Sequence, residues 1–271
     1  MTLTATATPR YTRAFSTLGC PELSLRAAQA LARAHDIRAV ELRALGGSVD
    51  LPGVLARAEA AGDIPAAPDT AVSIFSLGTD LRLFEATAGD REALLRFAPW
   101  AERLGAARLR VFDGGRNATP DEFARARATV DWWRQERSAH GWTTDLMVET
   151  HDALANSSAI RRFVEAVPGV AILWDTHHTW RVGGEAPLAT WRAIGRHVVH
   201  IHVKDSSATS GGSPGHRYVL PGAGEFPMRE LRAALAGDYT GPLSLEWERL
   251  WHPELPPLAD ALAAAEANHW W

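Results

Sequence analysis

Apolar runs of strand length alternate with Ala-, Leu- and Arg-rich runs of helical period along the whole chain. The alternation predicts strands near 14–18, 38–43, 71–75, 107–112, 145–149, 170–175, 198–203 and 243–247. It predicts helices near 23–35, 52–62, 89–104, 120–139, 153–166, 187–195, 228–236 and 257–267. Asp90 and Thr119-Pro120-Asp121 carry helix-start chemistry, Gly105 follows a helix end, and Gly237 and Gly241 bracket the turn into the last strand. Eight β–α units in strict order predict a closed parallel barrel, the (β/α)8 TIM-barrel form of the α/β class. No linker interrupts the pattern, so a single domain over 1–271 is expected, with 1–12 as a flexible or loosely packed N-terminal arm. The longest irregular stretch, Ser206 to Pro227, is rich in Ser and Gly and follows the seventh strand. It belongs on the C-terminal rim, where barrels of this type carry their active sites.

Strand parity then assigns faces, because side chains alternate along a strand. In the seventh strand Val199, Ile201 and Val203 share the face that suits packing against helices, while His200, His202 and Lys204 point into the barrel. In the eighth, Leu243, Leu245 and Trp247 face out and Ser244, Glu246 and Glu248 face in. Leu146 and Val148 oppose Met147 and Glu149 in the fifth, and Ile172 and Trp174 oppose Leu173 and Asp175 in the sixth. Glu41, Arg43 and Arg110 fall on the face opposite Val40, Leu42, Leu109 and Val111. Charges inside a barrel are costly unless they are paired or bind an ion or ligand, so this many of them point to a polar site.

Composition narrows the classes. At 271 residues the chain has the size of a single α/β barrel. A net charge of −4 with no basic stripe gives no footprint for nucleic acid. Cys20 is the only cysteine, which excludes an internal disulfide and fits a reducing, cytoplasmic setting. The first residues lack the basic start and long apolar core of a signal peptide, and no apolar run reaches membrane-spanning length. Among the eleven tryptophans, Trp270 and Trp271 end the chain. Such a pair is costly to leave in water, which raises the expectation of docking on a neighbouring copy in a homo-oligomer.

Glu149, Asp175, His202 and Glu246 stand at the C-terminal ends of strands five to eight. Three carboxylates and an imidazole suit one divalent ion of intermediate hardness: Mn2+ first, with Co2+, Mg2+ or Zn2+ as alternatives. A carbonyl bound there would be polarised and the neighbouring carbon acidified. Glu149 and Glu246 would then remove and return a carbon-bound proton. The outcome is aldose–ketose isomerisation or epimerisation of a small sugar or polyol. The same start followed by loss of a β-hydroxyl gives a lyase, such as a dehydratase of a keto-inositol or dehydroshikimate-like substrate or an enzyme acting on an oxidised glycoside. A non-catalytic sugar-binding or partner subunit is a third reading. For metal binding His202 must be neutral, so the ion is expected to leave as pH falls toward the imidazole range.

The chain resembles the xylose-isomerase-like barrels, the sugar phosphate isomerases and epimerases, essentially end to end. The marks are Ser16-Thr17-Leu18-Gly19, Val40-Glu41-Leu42-Arg43, Arg110-Val111-Phe112, Val148-Glu149-Thr150-His151-Asp152, Trp174-Asp175-Thr176-His177-His178, His200-Ile201-His202-Val203-Lys204-Asp205, Leu245-Glu246-Trp247-Glu248 and the turn Gly222-Ala223-Gly224-Glu225. The resemblance implies the same ligand set, Glu149, Asp175, His202 and Glu246, and a substrate or metal contact at His178. Apurinic endonucleases of the family need further histidines at the ends of strands three and four. Here those ends read Ser73-Ile74-Phe75-Ser76 and Val111-Phe112-Asp113.

The remaining polar residues carry paired expectations. Lys204 is either a salt-bridge partner of Asp205 or a substrate contact, and His151 and Arg43 are substrate-binding candidates. Arg43 and Arg110 would otherwise neutralise Glu41. His200 suits a hydrogen-bonded core histidine as well as a functional one, and His177 and His197 suit structural roles. Trp180 and Trp251 would wall the pocket or pack rim loops. Glu248 would orient a neighbour, and Cys20 would be a small buried or rim residue.

Overall fold

The computed structural model describes residues 10–64, 68–210, 215–237 and 239–271. Eight parallel strands close a barrel in the order β1-β10-β7-β6-β5-β4-β3-β2. They are β1 (Thr12–Ser16), β2 (Ala39–Leu42), β3 (Ser73–Arg82), β4 (Arg108–Phe112), β5 (Asp145–Glu149), β6 (Ala171–Asp175), β7 (Val198–Val203) and β10 (Pro242–Leu245). A short antiparallel hairpin, β8 (Ser206–Ala208) with β9 (His216–Tyr218), interrupts the numbering on the rim. The helices are α1 (Leu25–Ala34), α2 (Leu51–Ala60), α3 (Ala88–Leu95), α4 (Ala98–Leu104), α5 (Pro120–His140), α6 (Ser157–Ala166), α7 (Thr176–Arg181), α8 (Pro187–Ile194), α9 (Met228–Leu235) and α10 (Leu258–Ala267). The expected (β/α)8 TIM barrel is therefore what forms.

Local chemistry explains where elements begin and end. Thr119 caps α5 by accepting from Glu122 N, Glu122 answers onto Thr119 N, Pro120 opens the helix and Gly141 ends it at φ 68°. The helix expected over 89–104 is two helices, because Pro99 has no N–H to give and its ring opposes a preceding turn. The sixth strand runs straight into α7, with Asp175 as its N-cap. β3 runs to Arg82, well past the expected end at 75, since Gly78-Thr79-Asp80 reads as a turn but stays extended. The reason lies in the barrel: a Cβ at Gly78 would sit 2.8 Å from Arg43 Cδ and 2.9 Å from Arg110 Nη2. Two inward arginines fill the space that a side chain there would need.

The apolar faces of the strands, among them Val40, Leu42, Val111, Val148, Trp174, Ile201 and Leu245, are buried against the helices in one large core. Inside the barrel Met147, Ala171 and Leu173 form a second, small apolar cluster. Val199 packs on that inner cluster, against the expected outward position. A register shift in the β6–β7 pairing between Ile172 and Leu173 breaks the alternation just there.

The structure bears on three further expectations. Residues 1–9 of the proposed arm lie outside the described residues; Tyr11 is buried and Thr12 already pairs with Pro242 in the barrel. Trp270 and Trp271 are buried, at 6% and 7% exposure, in the core of their own chain, so they need no neighbouring copy to cover them. Residues 211–214 of the rim stretch after β7 lie outside the described residues, but the stretch has an anchor. Asp205 accepts from Ser206 N, Gly222 N, Gly224 N and Phe226 N at 2.8–3.1 Å. Among the described residues no helix is long and apolar enough to cross a membrane.

Candidate metal centre

Glu149 ends β5, Asp175 ends β6, His202 lies near the end of β7, and Glu246 follows β10. All are buried, and one ligand atom from each falls within 4.8 Å of the others. His202 sits at the centre. Its Nδ1 is 3.1 Å from Glu149 Oε1 and 3.3 Å from Glu246 Oε2, and its Nε2 is 2.9 Å from Glu41 Oε2. Asp175 is aimed by the helix that it starts: Oδ1 accepts from His177 N and His178 N at 2.9 and 3.0 Å. That leaves Oδ2 turned to the cluster.

The charges of this mouth hold one another in place. Burial works against a charge on His202, but Glu246, Glu41 and Glu149 around it raise its pKa well above the usual imidazole range. Burial likewise opposes ionisation of Glu41, yet His202 and His200 bring it down to about 2. Against the same burial, Lys204 and His178 hold Asp175 below its ordinary value, and His202 and Lys204 hold Glu246 well below. Lys204 itself is raised well above a free lysine by Asp175, Glu246 and Glu248, although burial pulls the other way.

These residues fit a divalent cation. Glu149 Oε2 and Asp175 Oδ2 are buried without a hydrogen-bond partner. Arg110 Nε lies 3.2 Å from the first and Lys204 Nζ 2.9 Å from the second, but neither is aligned as a hydrogen bond. Orphan carboxylate oxygens beside an imidazole nitrogen are what an ion would satisfy. Glu41 completes the arrangement. With its Nε2 proton given to Glu41 in a hydrogen bond, a neutral His202 would present the Nδ1 lone pair to the carboxylates. Glu41 thus pairs with His202 and with His200, whose Nε2 is 3.2 Å away, and not with arginines as expected. Arg43 instead pairs with Asp80 at 2.5 Å, and Arg110 with Glu149.

The other candidates divide clearly. Lys204 does not pair with Asp205; its ammonium meets Asp175, Glu246 and Glu248. Glu248 also accepts from Tyr218 Oη at 2.8 Å, so it does orient a neighbour. His178 lies beside the cluster, Nε2 3.7 Å from Asp175 Oδ2, with its ring 4.3 Å from that of His151. His151 Nδ1 is 3.2 Å from Asp152 Oδ1, and Asp152 is tied to Arg82 at 2.9 Å. Burial disfavours a charge on His151, but Asp152 and Glu149 carry its pKa up to about 9. His200 has core partners, Ser244 Oγ at 3.0 Å and the edge of Phe75, and His177 bonds Ser206 Oγ at 2.7 Å. His197 accepts from its neighbour Arg196, away from the cluster. Trp180 packs edge-on against His177 and Phe226 under the rim loops, while Trp251 is 53% exposed. Cys20 is buried, which pushes its thiol up to about 12.

Asp113 was not singled out from the sequence, although it follows β4 as Asp205 follows β7. Buried, it accepts from Gly114 N, His151 N, Asp152 N and Leu154 N, and so fixes the loop that carries His151. Burial outweighs those donors and raises its pKa to about 7.

The model of the xylose isomerase-like TIM barrel matches residues 29–269. No curated protein matches the chain. Among solved structures, the probable 3-DHS dehydratase AsbF involved in petrobactin synthesis from Bacillus anthracis superposes with a TM-score of 0.72 at 16% identity, over 94% of this chain and 98% of that one. The IolI protein with a bound zinc atom gives 0.71 at 15% identity, over 95% and 96%. An L-ribulose 3-epimerase gives 0.65 at 15% identity, over 96% and 92%. The family model spans nearly all of the closed barrel, so the chain belongs to the xylose isomerase-like TIM barrel family.

Proposed function

We propose that this chain is a divalent-metal-dependent isomerase or epimerase that moves a proton beside the carbonyl of a small keto-sugar or cyclic polyol. The observation that carries the reading is the buried four-residue cluster with two glutamates in it and orphan oxygens on Glu149 and Asp175. An ion held by Glu149, Asp175, His202 and Glu246, with Mn2+ the first choice and zinc supported by the likeness to IolI, would polarise the carbonyl and acidify the adjacent C–H. Glu149 removes the proton and Glu246 returns it, each from its own strand end. Arg110 holds the first carboxylate, and in the metal-free protein Lys204 meets the second. Glu41 keeps the His202 ring in its tautomer. His178, His151, Lys204 and Arg43 bind substrate around the mouth. The likeness to an L-ribulose 3-epimerase supports this substrate class.

The test is incubation of a panel of ketoses with the Mn2+-loaded protein in deuterated water. Deuterium appears beside the carbonyl of at least one substrate. No incorporation in any ketose, or full exchange by Glu149→Gln with metal still bound, would sink the reading.

A second reading, β-elimination of water, is favoured by one observation. The Asp152–His151 pair, its imidazole tilted against that of His178 at 4.3 Å, provides protonable groups outside the four-residue cluster that could deliver a proton to a leaving hydroxyl. The likeness to AsbF runs the same way. The product decides: elimination gives a conjugated chromophore and a loss of water, and isomerisation gives equal mass.

A further inference from the structure

Lys204 follows β7 on its inward face and its side chain is buried. Its ammonium lies 2.9 Å from Asp175 Oδ2, donates to Glu246 Oε2, and donates to Glu248 Oε1 at 2.6 Å. Asp175 and Glu246 belong to the four-residue cluster and Glu248 does not. Glu248 is held from its other side by Tyr218 Oη at 2.8 Å, and the Tyr218 ring stands 5.9 Å from the ammonium. The lysine therefore lies between two seats. One is the pair of cluster oxygens; the other is Glu248, held by the Tyr218 hydroxyl, with the Tyr218 ring on the ammonium's side.

A divalent ion and an ammonium compete for the same carboxylate lone pairs, and at such a separation in a buried site they repel. A lysine is a compact charge on a flexible four-carbon stem, so it can change seats without leaving the mouth. We propose that Lys204 is an internal competitor for the metal position: it holds Asp175 and Glu246 in the metal-free protein and moves onto Glu248 and Tyr218 when an ion binds. Its presence keeps the metal-free mouth from collapsing into uncompensated charge and lowers metal affinity to match. The inference rests on the metal reading above.

The probe is Mn2+ alone, added to metal-stripped protein and followed by the resonance of the free ion, with folding checked by circular dichroism. Lys204→Met binds Mn2+ at least about tenfold tighter than the parent, because desolvated ion pairs no longer compete. Its metal-free form melts below the parent's. Glu248→Gln removes the second seat and weakens Mn2+ binding severalfold in the parent, but much less in the Lys204→Met background. A folded Lys204→Met with equal or weaker Mn2+ binding overturns the proposal. So does a Glu248→Gln loss of the same size in both backgrounds, which is plain charge removal. If Lys204→Met does not fold, Glu248→Gln alone still decides, since unchanged or tighter binding there overturns it. A parent that binds no Mn2+ would instead sink the metal reading itself.

Discussion

Glu149 and Glu246 belong to one cluster, yet they are held by cations of opposite character. On the β4–β5 side Glu149 faces Arg110, whose guanidinium lies 3.9 Å over the Phe112 ring and donates to Thr79 O at 3.0 Å. That cation is planar, permanently charged and clamped on three sides. On the β7–β10 side Glu246 faces Lys204, a point charge with a second carboxylate within reach. The two sides of the mouth meet the same requirement, that a buried carboxylate be compensated, with a fixed partner on one side and a movable one on the other. A proton-abstracting group gains from a fixed seat, and a carboxylate that must admit an ion gains from a displaceable one.

The largest effect that tests this contrast is on chemistry. Glu149→Gln lowers the rate of deuterium exchange beside the carbonyl by about 10²–10⁴-fold, the usual size of a general base. Exchange within a few-fold of the parent would remove Glu149 from the base role. Next comes the fixed partner. Arg110→Met leaves Glu149 buried without its cation and costs about 3–5 kcal/mol in denaturant unfolding of the metal-free protein. Arg110→Lys keeps the charge but loses the fork and the stack on Phe112, and falls between the two. If the methionine variant is as stable as the parent, the arginine side is not a clamp. Glu41→Gln, at the far nitrogen of His202, weakens Mn2+ binding by about 10–100-fold, the usual cost of losing a ligand's partner. Equal affinity in that variant would mean that Glu41 serves His200 and the core only.

The smallest effect is on pH dependence. The surrounding carboxylates raise His202 in the metal-free protein, so it carries a proton at neutral pH that an incoming ion must displace. Mn2+ affinity therefore rises by about tenfold per pH unit below that raised pKa and levels above it. A flat profile from pH 6 to 8 would contradict His202 as a ligand. The stability of the metal-free barrel has its own sign. The raised His202 adds stability that is full below the unfolded imidazole value and fades as pH climbs through the raised one. The lowered Glu41 adds stability present above the unfolded carboxyl value and lost as pH falls through about 2.

Much of this was legible in the sequence because strand parity is a strict period. Alternation alone places His202, Asp175, Glu149 and Glu246 on the inner face, and the structure gathers them there. Parity also contains the answer for Lys204. Neighbours on a strand point to opposite faces, so Lys204 and Asp205 cannot readily meet, and adjacency in sequence is the weaker guide. Partner choice was not legible. Which cation meets Glu41 depends on how far each strand is sheared against the next, and no single strand carries that information. The length of β3 was hidden because Gly78 has turn chemistry for a packing reason. The end of the chain misled in a similar way: Trp270 and Trp271 read as exposed only because the surface waiting for them is built from distant segments, among them Phe226.

The four N–H groups gathered by Asp205 have a practical consequence for redesign. One carboxylate ties the exit of β7 to Gly222, Gly224 and Phe226, and a side chain at 224 would strike it, since a Cβ there falls 2.2 Å from Asp205 Oδ1. Asp205 and the segment 222–226 thus form a fixed clasp at the strand exit. A graft that preserves Asp205 and the segment 222–226, and keeps Tyr218 for Glu248, can vary the remaining residues to alter what the mouth admits while the strand end beneath stays in register.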